Sequence, residues 1–176
     1  TSMGPSRRIT VGDEAVAVRS GPIRLELALT PVGEPVEVVS PHGGSYIWTR
    51  KVPIRADGHL SLGMEARPVS ALGILDESAG YHARNTAWEW SAGTGTTVDG
   101  WPVTWNLVSG VHDADSMSER TVWVAGRPAE VPPVRFAADL SQLWGADGSR
   151  LLFHEEARRS RRESLGVVSS DYVQPF

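Results

Sequence analysis

Between Asp76 and Trp90 the chain reads Asp76-Glu77-Ser78-Ala79-Gly80-Tyr81-His82-Ala83-Arg84-Asn85-Thr86-Ala87-Trp88-Glu89-Trp90, its densest run of chemically capable side chains. Drawn as one strand, residues 82–90 put His82, Arg84, Thr86, Trp88 and Trp90 on one face, because successive side chains of a strand alternate. That face combines a titratable imidazole, a permanent cation and two indoles. Apolar surface with a few convergent polar groups is the usual form of a small-molecule site. The competing reading is that the indoles pack a core and Arg84 pairs with a structural carboxylate. Asp76, His82 and Glu119 are the candidate proton donors, since burial and neighbouring charge can tune His and carboxylates toward neutral pH. Their spacing alone does not bring them together.

Other chemistries find less support. The chain has no Cys, which excludes disulfides, thiolate nucleophiles and Cys-ligated metals. Its five His (His42, His59, His82, His112, His154) form no close pair, so no metal site is expected. Gly93-Thr94-Gly95 is not followed by a helix start, so it lacks the context of a phosphate cradle, and no cofactor is expected. The mixed-sign run Glu155 to Glu163 reads as a solvated hairpin tip around Arg159–Arg162. A net charge of −4 disfavours a nucleic-acid partner. No apolar stretch approaches the ~20 residues of a membrane helix, and no secretory signal follows residues 1–8. A cytoplasmic location is the expectation.

The elements that must position these residues read as strands. Ile23, Leu25, Leu27 and Leu29 share a face at period 2, between Gly21-Pro22 and Thr30-Pro31. Further strands are expected at 36–39, at 45–51 (with Tyr46, Trp48 and Arg50 on one side), and at 69–75, 101–108, 119–124 and 134–140. Asp57-Gly58 and Asp99-Gly100 read as hairpin turns. The strand through Trp90 is expected to break at Gly93-Thr94-Gly95. Ser141–Trp144 forms at most one helical turn. Turns recur every 8–14 residues or so, as in an antiparallel sandwich or barrel. With 176 residues, 40% of them apolar, one β domain over residues 9–176 is expected, after a flexible segment 1–8 that is in part vector-derived.

The block Asp76 to Trp90 with Gly93 and Gly95, then Trp105-Asn106-Leu107-Val108-Ser109-Gly110, then Glu119–Val124 with Gly126, and finally Ser169 to Phe176, resembles the domain of unknown function 2804 family. The blocks occur in order over residues 45–176. The resemblance implies a lipocalin-like, calycin-type architecture, distantly similar to carotenoid hydratase and tocopherol cyclase-like proteins. The expected fold is therefore all-β: an antiparallel meander forming a lipocalin-like barrel or strongly curved sandwich, with little or no helix. Family members continue past the last block with a Gly-rich strand, so a closing strand is either missing here or supplied by another chain. An open edge would favour a homodimer or strand exchange.

Three functions fit. The first is binding of an apolar or amphipathic small molecule in a pocket lined by Arg84, Trp88, Trp90, Trp105, Asn106 and Trp123, suited to the seven Trp set against three Tyr and three Phe. The second is a hydratase-, cyclase- or isomerase-type enzyme using Asp76, His82 or Glu119 as acid in that pocket. The third is a module that binds a glycan or a protein through exposed Trp residues.

Overall fold

A computed structural model describes residues 8–42, 44–81, 85–111, 114, 116–165 and 168–175. Every regular element among them is a strand. The chain divides into two compact units, residues 1–131 and 132–176.

The first unit holds two antiparallel sheets. The larger comprises β1 (Arg8–Val11), β2 (Ala15–Ser20), β3 (Ile23–Pro31), β4 (Val36–His42), β5 (Ser45–Leu62) and β6 (Glu65–Gly80). It is strongly curled into a half-barrel, in keeping with a lipocalin-like barrel. The long strand β5 is its spine. One edge pairs with the whole of β6, from Ile47↔Gly80 to Leu62↔Glu65. The other edge is shared: β4 pairs with residues 45–51 and β3 with residues 54–62. Pro53 sits at the seam between these two partners. Its carbonyl accepts from the Val32 N–H at 2.9 Å, so the side on which Pro lacks a donor faces the gap and no ladder bond is lost.

The middle of β5 is buried on both faces. Val52, Ile54 and Ala56 on one face join Leu29 in an apolar cluster, against which Val16, Leu27 and Leu75 pack. Ile47, Thr49, Lys51 and Pro53 are buried on the opposite face. Each buried Val, Leu or Ile contributes about 1.5–3 kcal/mol relative to exposure.

The sequence reading of Asp57-Gly58 as a turn is corrected here. β5 runs straight through it, and the hairpin closes at residues 63–64. Gly58 serves a close approach instead: a Cβ there would land on the Glu26 backbone of β3. The Asp99-Gly100 turn does form, with the Gly100 N–H donating to the Thr97 carbonyl at 2.9 Å.

That turn belongs to the second sheet, ordered β10-β9-β8-β7: β7 (Glu89–Thr96), β8 (Pro102–Ser109), β9 (Thr121–Val124) and β10 (Arg127–Glu130). Here too a glycine reading changes. Gly93 and Gly95 do not end a strand; β7 continues through them. Gly93 lies opposite Trp105, whose indole occupies the space a Cβ would need. The β9–β10 hairpin is a two-residue turn at Ala125-Gly126, both at positive φ (50° and 78°).

In the second unit β11 (Val134–Phe136), β12 (Gln142–Gly145) and β13 (Arg150–Leu152) form a small sheet, and β14 (Arg158–Leu165) pairs with β15 (Val168–Pro175). Residues 142–145 are thus a strand rather than a helical turn. Arg159–Arg162 lie within β14 rather than at a hairpin tip, and Arg162 pairs with Asp171 across the ladder.

Candidate functional site

Two features of the first unit compete for the role of site, and they lie on opposite faces of β5.

On one face is a buried polar network. Lys51, 4% exposed, points between the two sheets. Its Nζ donates to Asp76 Oδ1 at 2.7 Å, the register partner on β6, and lies 3.1 Å from Glu119 Oε2, in the segment entering β9. The Glu119 carbonyl accepts from Asn106 Nδ2 at 2.7 Å, and Asn106 Oδ1 accepts from the Trp90 indole N–H at 2.8 Å. Asn106 is fully buried and Glu119 nearly so. Four of the residues picked from sequence (Asp76, Glu119, Asn106 and Trp90) are therefore joined in one chain, through a lysine that the sequence reading overlooked. The signal for Lys51 was present: it stands in a segment, Ile47 to Ile54, with apolar residues at both parities. A strand buried on both faces must turn one of two adjacent cations, Arg50 or Lys51, inward.

A buried cation held by two carboxylates at hydrogen-bonding distance ties neighbouring elements together, because removing the cation takes the compensating charge from both of them. Other inter-sheet bonds flank it. Trp123, 1% exposed, donates from its indole to the Glu34 carbonyl at 2.8 Å, and the Glu34 N–H donates to Gly126. His42 Nε2 lies 3.5 Å from Thr86 Oγ1. Nearby, Glu130 accepts from the Ser118 N–H and hydroxyl, both at 2.7 Å, and from the Met117 N–H at 3.2 Å. Partial burial opposes ionisation of Glu130, but these donors and the Arg120 charge outweigh it and hold the carboxyl below its ordinary range.

The remaining candidates do not gather into one wall. Residues 85–88 are not strand, β7 begins at Glu89, and Trp88 is 58% exposed. His82 and Arg84 lie outside the described residues. Trp105 points to the opposite side of its sheet from Asn106, where its indole N–H donates to Ser91 Oγ at 3.0 Å. Trp101 is exposed at the β7–β8 turn.

The other face of β5 carries Arg50, Val52, Ile54 and Ala56. An open trough of about 490 Å³ has Leu29, Pro31, Val52, Ile54 and Leu75 as its floor, and no Trp among its lining residues. Asp13, Glu14 and Arg50 stand at its rim. The β1–β2 loop carries the two acids and is anchored by the Leu29 N–H, which donates to the Glu14 carbonyl at 2.8 Å. Arg50 donates to Glu77 Oε2 at 2.6 Å and lies 3.7 Å from Glu37. The Glu77 bond raises the guanidinium above its ordinary pKa, with Asp13 and Glu37 adding to it against desolvation. By strand alternation, Trp48 and Tyr46 continue the trough face beyond Arg50. The floor residues escaped the sequence reading because apolar strand residues look alike whether they fill a closed core or line an open one.

Fold and site together define an all-β protein with a half-barrel sheet, a trough on one face of its central strand β5 and a buried Lys–carboxylate network on the other. The chain belongs to the family described as a domain of unknown function (DUF2804), whose model matches residues 3–176. No curated protein and no solved structure matches it. No helix among the described residues is long and apolar enough to cross a membrane.

Proposed function

We propose that this protein binds an amphipathic small molecule, with the apolar part of the ligand lying along the trough of the half-barrel. The observation that carries this reading is the trough itself: an open space of about 490 Å³ lined by apolar Leu29, Pro31, Val52, Ile54 and Leu75 beside the charged Asp13, Glu14 and Arg50. Ligand sites commonly span ~300–1,000 Å³ and combine apolar walls with a few polar groups. The Lys51 network backs the trough from behind and fixes β5 against β6.

Retinol is a suitable probe. Trp48 lies on the trough face four residues from Val52, about 13 Å at ~3.3 Å per residue, close enough for its emission to be quenched by a bound polyene. Saturable quenching is expected, weakened at least tenfold by Leu75→Gln in a protein whose far-ultraviolet circular dichroism is unchanged. Unchanged emission at saturating retinol would overturn the reading.

A second reading, catalysis of the hydratase or isomerase type, draws on one observation: the Asp76 carboxylate is 38% exposed while bonded to the buried Lys51 ammonium. On that reading the reacting group meets Asp76 on the Lys51 face of β5, and Asp76→Asn abolishes turnover while leaving retinol binding in the trough intact.

A further inference from the structure

We infer that the trough selects amphiphiles with a cationic head, an inference that rests on the binding function proposed above. The apolar floor is the site; the charges at its rim choose among occupants. Two carboxylates line it, Asp13 and Glu14 on the β1–β2 loop, and two more, Glu37 and Glu77, lie against Arg50. Arg50 is the single cation in the trough lining, and Glu77 and Glu37 already hold it. Among the described residues, Asp13 and Glu14 form no ion pair. An anionic head, such as a fatty-acid carboxylate, would meet these two acids, and Arg50 could turn to it only by leaving Glu77. An ammonium head placed beside Asp13 and Glu14 would gain two favourable contacts over a tail seated on Leu29, Val52, Ile54 and Leu75.

The test compares dodecyltrimethylammonium with dodecyl maltoside, both as monomers, by isothermal titration calorimetry. Two exposed charge contacts of ordinary strength predict about tenfold tighter binding of the cation. The ratio should fall toward one in 1 M salt, where the Debye length is ~3 Å, and in D13N/E14Q. Equal affinities in wild type would overturn the inference and leave the binding function standing. A preference that survives in D13N/E14Q would overturn it too, since it would place the selecting charge elsewhere. If neither amphiphile binds, the inference and the proposed function fall together.

Discussion

Replacing Lys51 by Met tests the network most sharply. The ammonium is nearly fully buried, 2.7 Å from Asp76 and 3.1 Å from Glu119, whose side chains are 38% and 9% exposed. Met keeps the aliphatic stem and removes the charge, so the nearly buried Glu119 carboxylate and Asp76 both lose the ammonium between them. Breaking a buried pair in this way costs about 3–5 kcal/mol. Asp76 is open to water and adds only ~0–1 kcal/mol. Glu119→Gln should cost less, about 1–2 kcal/mol, because Lys51 keeps Asp76. The double variant K51M/E119Q removes the two buried charges of the triad and should be more stable than K51M alone, with a coupling of about 2 kcal/mol. Urea denaturation followed by near-ultraviolet circular dichroism reads these values. At an m of ~1–3 kcal/mol/M, the single variant should lose 1 M or more in midpoint. A cost below ~1 kcal/mol for K51M, or simple additivity in the cycle, would refute the claim that this triad is a coupled, desolvated tie.

Three further expectations follow from local geometry. Ala125 occupies the first position of a two-residue hairpin turn at φ 50°, a conformation that disfavours an L side chain by roughly 1–2 kcal/mol; Ala125→Asn should therefore raise the melting temperature by about 2–4 °C in a thermal scan. Gly93→Ala puts a methyl group where the Trp105 ring lies, so it should cost about 1–3 kcal/mol in urea titration and shift the Trp emission, whereas Gly44→Ala, with nothing near its Cβ, should not. Glu130 has a lowered pKa in the folded state, so its contribution is fully present above its ordinary value of 4.5 and fades as pH falls through the lowered one; the stability gap between wild type and Glu130→Gln, held by solvent screening to ~0.5–1 kcal/mol at pH 7, should narrow below that value when measured by denaturation across pH.

Sequence exposed those parts of the fold whose cause is local. The alternation Ile23, Leu25, Leu27, Leu29 produced β3, and Leu29 is buried on the trough floor as that pattern requires. Asp99-Gly100 produced its turn because the hairpin needs only its own residues. Asp57-Gly58 has the same local signature but a different cause, the approach of β3, which is set by strands distant in sequence. Gly93 likewise reflects its partner Trp105 on β8. The candidate site divides along the same line. Asp76, Glu119, Asn106 and Trp90 stood out as residue types, yet what links them is Lys51, at a position where a charged residue normally reads as solvent-facing. The trough was hidden for another reason: period-2 patterning gives the face on which a residue lies, but not whether that face closes over or stays open.

The central claim is that the trough on the Val52 face of β5 holds the ligand. Photo-crosslinking with a diazirine-bearing dodecylammonium probe, with adducts located by peptide mass spectrometry, tests it directly. The account predicts saturable labelling confined to residues 27–31, 50–54 and 72–76, displaced by unlabelled dodecyltrimethylammonium. Labelling concentrated at residues 88–101, where Trp88, Trp90 and Trp101 are exposed, would contradict it and would move the binding surface to those indoles.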